Sequence, residues 1–251
     1  MRKRYIFFII PLLLISYGFI YADEEASQGE SQNSVQPVSQ QSFKKWLMNN
    51  PRGKRYAGYT EYFNSLFESA SEDDIPAELI ITKIREGAVK NIPPRRLITA
   101  VSNELYRLKT AKNILDTEKI VIRDYSSYKD TLKHISILLL GGVEAKTIKE
   151  LFKQNDKYSR TENDVLAACD VLVQFNSIAQ LSQSDLLKTG RALLMSRLKS
   201  ASFSSLASIY LNARAKRIKT DDILRIIQRT LSRGGGLIQI DQEISDRGSY
   251  R

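Results

Sequence analysis

The side chains that could carry out catalysis are few in this sequence, and they are scattered. His134 is the only histidine of the chain and Cys169 the only cysteine. A hydrolytic triad needs a serine or cysteine nucleophile beside its histidine. Ser136 lies two residues after His134, and residues two apart point to different sides of a helix. Cys169 falls in a nearly all-apolar helix, where a cysteine usually fills a small space in the core. We therefore predict no catalytic residues and a protein that is not an enzyme.

Metal and cofactor sites also lack their usual ligands. One histidine and one cysteine do not complete a zinc, copper or haem site. The acidic run at residues 71–74 has no other carboxylate spaced to complete a metal shell, and it is typical of a helix start capped by Ser71 or Asp74. The three glycines at 234–236 are not followed by the Lys-Ser/Thr of a phosphate-binding loop. The sequence predicts no metal and no cofactor.

Carboxylates are the remaining group that could support an enzyme. Pairs of Asp and Glu cleave glycosidic bonds, and the chain has 28 acidic residues. No spacing in the sequence singles out one pair. A hydrolase of envelope glycan that uses carboxylates is therefore an alternative function, and the sequence does not favour it.

A basic row on one predicted helix is a candidate for binding. The helix begins at Pro94 and carries its cations beside an apolar face. We predict that the row contacts a partner, although a solvated helix face has the same pattern. The residues of the predicted partner-contact surface are Arg95, Arg96, Arg107, Lys109 and Lys112.

Aromatic residues are concentrated near the start of the predicted folded region. Such a stripe at helical spacing is typical of an apolar cap that closes one end of a helical stack. The functional alternative is an aromatic groove, which would make the protein a small-molecule or lipid carrier. The groove would be formed by Trp46, Tyr56, Tyr59 and Tyr62.

The first 22 residues predict export. Three basic residues precede an apolar run at 6–21, and Ala22 is followed by acidic residues. This order is typical of a signal peptide cleaved after Ala22, and the alternative is an uncleaved membrane anchor formed by residues 5–22. Cleavage removes three basic residues, so the formal charge falls from +10 to +10 − 3 = +7. An exported protein of this charge is a poor candidate for binding nucleic acid, and we expect a protein partner in the periplasm.

The rest of the chain divides by composition. Residues 23–41 are rich in Ser, Gln and Glu and predict a flexible linker. Residues 42–233 predict a single all-helical domain whose first part, 42–70, is the aromatic N-terminal cap. Residues 234–251 predict a flexible tail.

One turn signal recurs along the predicted domain. A residue able to adopt the left-handed conformation precedes a hydrophobe, and a second hydrophobe follows five residues later. The turn hydrophobes are Ile92, Val143, Leu181 and Ile218. Recurrence at this spacing predicts about four helical hairpin repeats in an all-α fold of stacked helical hairpins, α-solenoid-like or an irregular bundle, with about nine to ten helices.

These observations together predict an exported, non-enzymatic helical protein. Its expected role is that of a protein–protein interaction or scaffold module of the bacterial cell envelope. The glycan hydrolase and the small-molecule or lipid carrier are the alternatives.

Overall fold

The computed structural model of the chain describes residues 40–122 and 124–249. These residues form twelve α-helices and no strand, so the all-α prediction is confirmed. The helices are α1 (Gln40–Asn49), α2 (Pro51–Lys54), α3 (Thr60–Glu72), α4 (Ala77–Val89), α5 (Pro94–Thr117), α6 (Tyr125–Leu140), α7 (Ala145–Phe152), α8 (Glu162–Ala179), α9 (Gln183–Met195), α10 (Ser205–Ala215), α11 (Thr220–Ser232) and α12 (Leu237–Ser249). The two helices beyond the predicted ten are α2 and α12. Single turns of 3₁₀ helix occur at Ala57–Tyr59, Asp156–Tyr158 and Ser200–Ser202.

The helices from α4 onward pack as two rows. In one row α6, α8, α10 and α12 follow one another, and in the other α5, α7, α9 and α11 do. α4 packs against α5, and an ion pair of 3.3 Å between Glu78 and Lys129 links it to α6. α6, α8 and α10 are therefore each followed in the chain by a helix of the second row, which is the arrangement of stacked two-helix units.

The four predicted turns are the junctions inside these units, and their local chemistry is confirmed. The residue before each turn hydrophobe has a left-handed φ: 52° at Asn91, 85° at Gly142, 49° at Gln180 and 61° at Arg217. In the first of them the amide of Ile92 donates to the carbonyl of Gly87 at 2.9 Å, which closes the helix end.

The same turn also occurs between the units. Asp74 (φ 53°) precedes Ile75 and Lys119 (φ 54°) precedes Ile120, with matching bonds from Ile75 and Ile120 to carbonyls five residues back. The motif therefore ends helices both within and between the two-helix units. The four predicted copies are the ones that lie within units.

The helix start predicted at residues 71–74 is wrong. The acidic run at residues 71–74 ends a helix instead of starting one, because α3 continues to Glu72 and Asp74 forms the left-handed turn. α4 begins after Pro76 without a side-chain cap.

The predicted flexible tail is the second error, because Leu237–Ser249 form α12. Ile240 and Ile244 are 0% and 1% exposed, and the helix packs against α10 and α11. Residues 237, 240 and 244 stand three and four apart, which is helical spacing.

The N-terminal cap is built from packed aromatic rings. The Phe43 ring of α1 contacts the Phe63 and Phe67 rings of α3, with centroids 6.0 and 5.4 Å apart. α1 begins at Gln40, two residues before the predicted start of the domain. The predicted signal peptide or anchor and residues 23–39 of the predicted linker lie outside the described residues. Within 40–122 and 124–249, no helix is long and apolar enough to cross a membrane.

Candidate functional site

The histidine, the serine and the cysteine are not brought together. His134 Nε2 lies 2.8 Å from Asp170 Oδ1 of α8, and both side chains are about one-third exposed. Ser136 is buried and donates to Glu104 Oε1 of α5 at 2.9 Å. His134 and Ser136 thus face different helices and do not form a nucleophile–base pair. Burial raises the pKa of the Cys169 thiol far above its ordinary value, because the charged thiolate is desolvated.

Metal-binding groups are also dispersed in the part of the chain that the structure describes. No three His, Cys, Asp or Glu side chains there are grouped so that they could hold a metal ion. A cleft of about 450 Å³ lies between α11 and α12. The cleft is lined by residues that include Arg229, Arg233, Glu243 and Asp246, and none of the four predicted groove aromatics borders it.

Each predicted groove aromatic is engaged with a different neighbour. Tyr56 is buried, and its hydroxyl donates to the carbonyl of Ile92 at 2.6 Å. The Trp46 ring stacks on Phe43 at 5.7 Å. Above the same Trp46 ring lies the Arg85 guanidinium, 5.5 Å from the centroid, and burial lowers the pKa of Arg85.

The other two predicted groove aromatics, Tyr62 and Tyr59, also contact neighbouring parts of the fold. The Tyr62 hydroxyl lies 2.7 Å from Ser102 Oγ of α5, and Tyr59 is half-buried against the core. These contacts make the four residues part of the packing between the cap and the helices α4 and α5.

Three members of the predicted basic row are paired within the chain. Arg107 pairs with Glu104 at 2.5 Å on the side of α5 that faces α6. Lys109 pairs with Asp73 at 2.6 Å and donates to Ser69 at 2.9 Å, on the side that faces α3. Lys112 pairs with Asp116 of its own helix at 2.7 Å, and this contact raises the pKa of Lys112. The five residues therefore do not form one continuous surface.

Arg95 and Arg96 differ from these three. Both are exposed, and neither forms an ion pair with a described residue. They occupy the first turn of α5, directly after Pro94, and this turn contains no acidic residue. A helix N-terminus carries a partial positive charge, so two cations there are electrostatically unfavourable.

More cations surround the same turn. The bond from Tyr56 to Ile92 holds the chain after α2 against the turn between α4 and α5. No acidic residue occurs in positions 40–60 or 87–103. We define the first-turn basic surface as five exposed side chains that make no ion pair with the described residues: Lys54, Arg55, Lys90, Arg95 and Arg96.

This surface can attract and hold an anionic group. One exposed ion pair contributes only about 0–1 kcal/mol, but several cations around one turn produce a field that steers an acidic partner. The attraction acts over a Debye length of about 8–10 Å at physiological salt. Sequence reasoning found Arg95 and Arg96 and missed Lys54, Arg55 and Lys90. The available signal was the absence of acidic residues from positions 40–60.

Comparison of this chain with protein-family models, with curated proteins and with solved structures finds no match.

Proposed function

We propose that this protein is a non-enzymatic binding module of the bacterial cell envelope, and that its first-turn basic surface binds an acidic partner protein. The observation that carries the proposal is the position of Arg95 and Arg96. Both are exposed and form no ion pair with the described residues. They lie at the N-terminal end of α5, where the helix dipole disfavours positive charge.

Five other helices of the described chain have an acidic residue in the first turn, which is the arrangement that the helix dipole favours. α8 has Glu162 and Asp164 in its first turn, and α11 has Asp221 and Asp222. Natural sequences break such local rules mainly where a function requires it. The two arginines at the start of α5 have no structural partner in the described chain, so an external partner is the best account of them.

The stack and the predicted export support the same proposal. Rows of helices give a rigid frame on which a charged turn keeps its position. A positive segment followed by an apolar run at the N-terminus predicts export, which favours a protein partner over nucleic acid. An acidic protein surface offers carboxylates, which accept two parallel hydrogen bonds from an arginine.

The test is a double charge reversal, Arg95→Glu with Arg96→Glu, in the full chain. Cells carrying the tagged protein are cross-linked, and the attached proteins are identified and quantified. Each reversal replaces an attraction with a repulsion, so we expect capture of the principal partner to fall on the order of tenfold or more.

A matched control separates this effect from a general loss of charge. Lys133→Glu with Lys188→Glu makes the same change in net charge at two exposed positions on α6 and α9. This control should capture the partner as the unchanged protein does. Equal capture by the Arg95/Arg96 variant and the unchanged protein would remove the first-turn basic surface from the proposal.

A further inference from the structure

The charges before and after residue 43 are separated by sign. Positions 23–43 contain four acidic and no basic residues, and positions 44–60 contain five basic and no acidic residues. The acidic residues are Asp23, Glu24, Glu25 and Glu30, and we name positions 23–30 the acidic segment. Two neighbouring blocks of opposite sign attract each other, so the chain carries its own candidate ligand for a basic surface.

The first-turn basic surface has the charge that such a segment requires. α2, which contains Lys54, packs against α4, and Lys90 follows the last residue of α4. The bond of 2.6 Å from the Tyr56 hydroxyl to the Ile92 carbonyl holds these two parts together. The five cations of the surface are exposed and make no ion pair with the described residues, so they are available to carboxylates.

The acidic segment is close enough in the chain to reach this surface. α1 begins at Gln40 and ends at Asn49, a length of about 15 Å, and the five residues from there to Lys54 add at most about 18 Å. Lys54 thus lies within about 33 Å of Gln40. Positions 26–39 span up to about 46–50 Å when they are extended. The three acidic residues before position 26 therefore reach Lys54 with several residues to spare.

We infer that the acidic segment binds the first-turn basic surface of its own chain and competes there with the acidic partner. A tethered segment is present at an effective concentration on the order of millimolar, which compensates for the weakness of each exposed ion pair. The partner binds only those molecules in which the surface is open, so its apparent affinity falls as the occupied fraction rises. The acidic segment is thus an autoinhibitory element of the surface.

Only the competition rests on the proposed function. The contact between the acidic segment and the surface is a property of this chain alone, and it is measured without a partner. The contact and the competition therefore have separate readouts.

Zero-length coupling tests the contact. The full chain is purified in a nonionic detergent and treated with a carbodiimide, which joins a carboxylate to a lysine amine only where the two groups touch. Mass spectrometry of the digested monomer identifies the coupled peptides. We expect the acidic segment to be joined to Lys54 and Lys90 at low salt. This coupling should fall on the order of tenfold at about 1 M salt, where the Debye length is about 3 Å.

Two controls make the coupling specific. Lys133 and Lys188 are exposed lysines on α6 and α9, and they measure coupling by chance. Arg95→Glu with Arg96→Glu leaves every lysine in place and should lower coupling to Lys90 on the order of fivefold, because the surface loses its attraction for carboxylates.

Three results of this experiment would overturn the inference. The first is coupling to Lys54 and Lys90 that is no more frequent than coupling to Lys133 and Lys188. The second is coupling that salt does not reduce. The third is coupling found only in covalent dimers, which would make the acidic segment of a second copy the occupant.

Neutralising the acidic segment tests the competition. The variant carries Asp23→Asn, Glu24→Gln, Glu25→Gln and Glu30→Gln, which keep the size of each side chain and remove its charge. Capture of the principal partner should rise about two- to fivefold, because the surface is no longer occupied. The mass of each purified protein checks that its N-terminus is the same.

A matched control makes the same change in net charge at four exposed positions of the folded chain. The control carries Glu68→Gln, Glu72→Gln, Asp130→Asn and Asp241→Asn. It should capture the partner as the unchanged protein does. Capture by the variant with the neutralised segment that does not exceed capture by this control would overturn the competition.

The failures of the proposed function and of this inference are distinguishable. If reversal of Arg95 and Arg96 lowers the coupling but leaves partner capture unchanged, the proposed function fails and the contact remains. If the reversal lowers capture and no coupling to Lys54 or Lys90 forms, the proposed function remains and the inference is overturned.

Discussion

The turn at Ile92 and the turns at Val143 and Leu181 have the same left-handed backbone and different surroundings. At the first turn, one side-chain hydrogen bond arrives from the rest of the described chain, from the hydroxyl of Tyr56. The charged side chains around it, including Lys90 and Arg95, point to solvent. The first turn is therefore held by fewer side-chain hydrogen bonds than the other two, and its basic side chains are exposed to solvent.

The second and third turns are instead bonded to each other. The Gln183 amide donates to the carbonyl of Gly142 at 2.8 Å, and its oxygen accepts from the backbone of Glu144 and the hydroxyl of Thr147, both at 3.1 Å. These bonds join consecutive units. One local motif thus serves two purposes: inside the stack its polar neighbours connect units, and at the end of the stack they remain available to a partner.

The helix starts show the same difference. α8 begins with a capping box in which Thr161 and Asp164 bond to each other's backbone amides. α5 begins with Pro93 and Pro94, no side-chain cap and two arginines. Charges at the start of α8 stabilise the helix, whereas charges at the start of α5 oppose it.

The largest expected effect is on packing at the second turn. In Gly141→Ala the new Cβ would lie 2.5 Å from Val173 Cγ1 and 2.8 Å from Cγ2, and a β-branched side chain in a helix has little freedom to move away. We expect a loss of about 2–3 kcal/mol in the free energy of unfolding, measured by urea titration. Gly58→Ala is the control, because no atom lies within 4 Å of its added Cβ. Equal stability of the two variants would show that the second turn is not tightly packed.

The second-largest expected effect is the loss of stability when side-chain hydrogen bonds at the turns are removed. Gln183→Ala removes three hydrogen bonds between units, and we expect a loss of about 2 kcal/mol. Tyr56→Phe removes the one side-chain hydrogen bond that arrives at the first turn, and we expect a loss of about 1 kcal/mol. Both are read from thermal and urea unfolding. A loss for Tyr56→Phe that equals or exceeds the loss for Gln183→Ala would contradict the comparison.

The local features of this fold were predictable because their chemistry is local. The turn at Asn91 and Ile92 is specified by a few neighbouring residues, and so are the bounds of α6 and α8. Partners distant in the sequence were not predictable. Lys109 is bonded to Ser69, 40 residues away, and nothing near Lys109 in the sequence indicates that contact.

The candidate site shows the same limit. The bond that brings Lys54 and Arg55 to the first turn joins Tyr56 to Ile92, 36 residues apart. The sequence therefore predicted Arg95 and Arg96 as binding residues but not the other members of the surface. It also predicted Arg107 as a member, although Glu104 stands three residues before it, a spacing at which opposite charges pair on a helix.

A smaller effect is expected at the start of α8, and it depends on pH. The backbone bond from Thr161, with a contribution from the Ser200 side chain, lowers the pKa of Asp164 below its usual value of 3.8. A lowered pKa in the folded state stabilises the protein above the unfolded pKa, and this contribution is lost as the pH falls through the folded value. Asp164→Asn should cost about 1 kcal/mol or less at pH 7, since the side chain is only partly buried. The difference from the unchanged protein should shrink below about pH 4. A difference that is constant between pH 7 and pH 3 would contradict this account.

The smallest expected change is an increase in the free energy of unfolding, whereas the other variants are expected to lower it. Arg95→Glu with Arg96→Glu replaces two cations at the start of α5 with anions that the helix dipole favours, and it also reduces repulsion from Lys90. We expect the free energy of unfolding to rise by about 0.5–1 kcal/mol at low salt, and the gain to fall as salt screens it. Urea titration at two salt concentrations measures it, with Lys133→Glu and Lys188→Glu as the control at positions away from a helix start. Higher stability together with lost partner capture would mean that the arginines at this turn are kept for binding at the expense of stability. A decrease in stability would instead indicate that Arg95 and Arg96 stabilise the fold, and the contrast between the first turn and the two bonded turns would no longer hold.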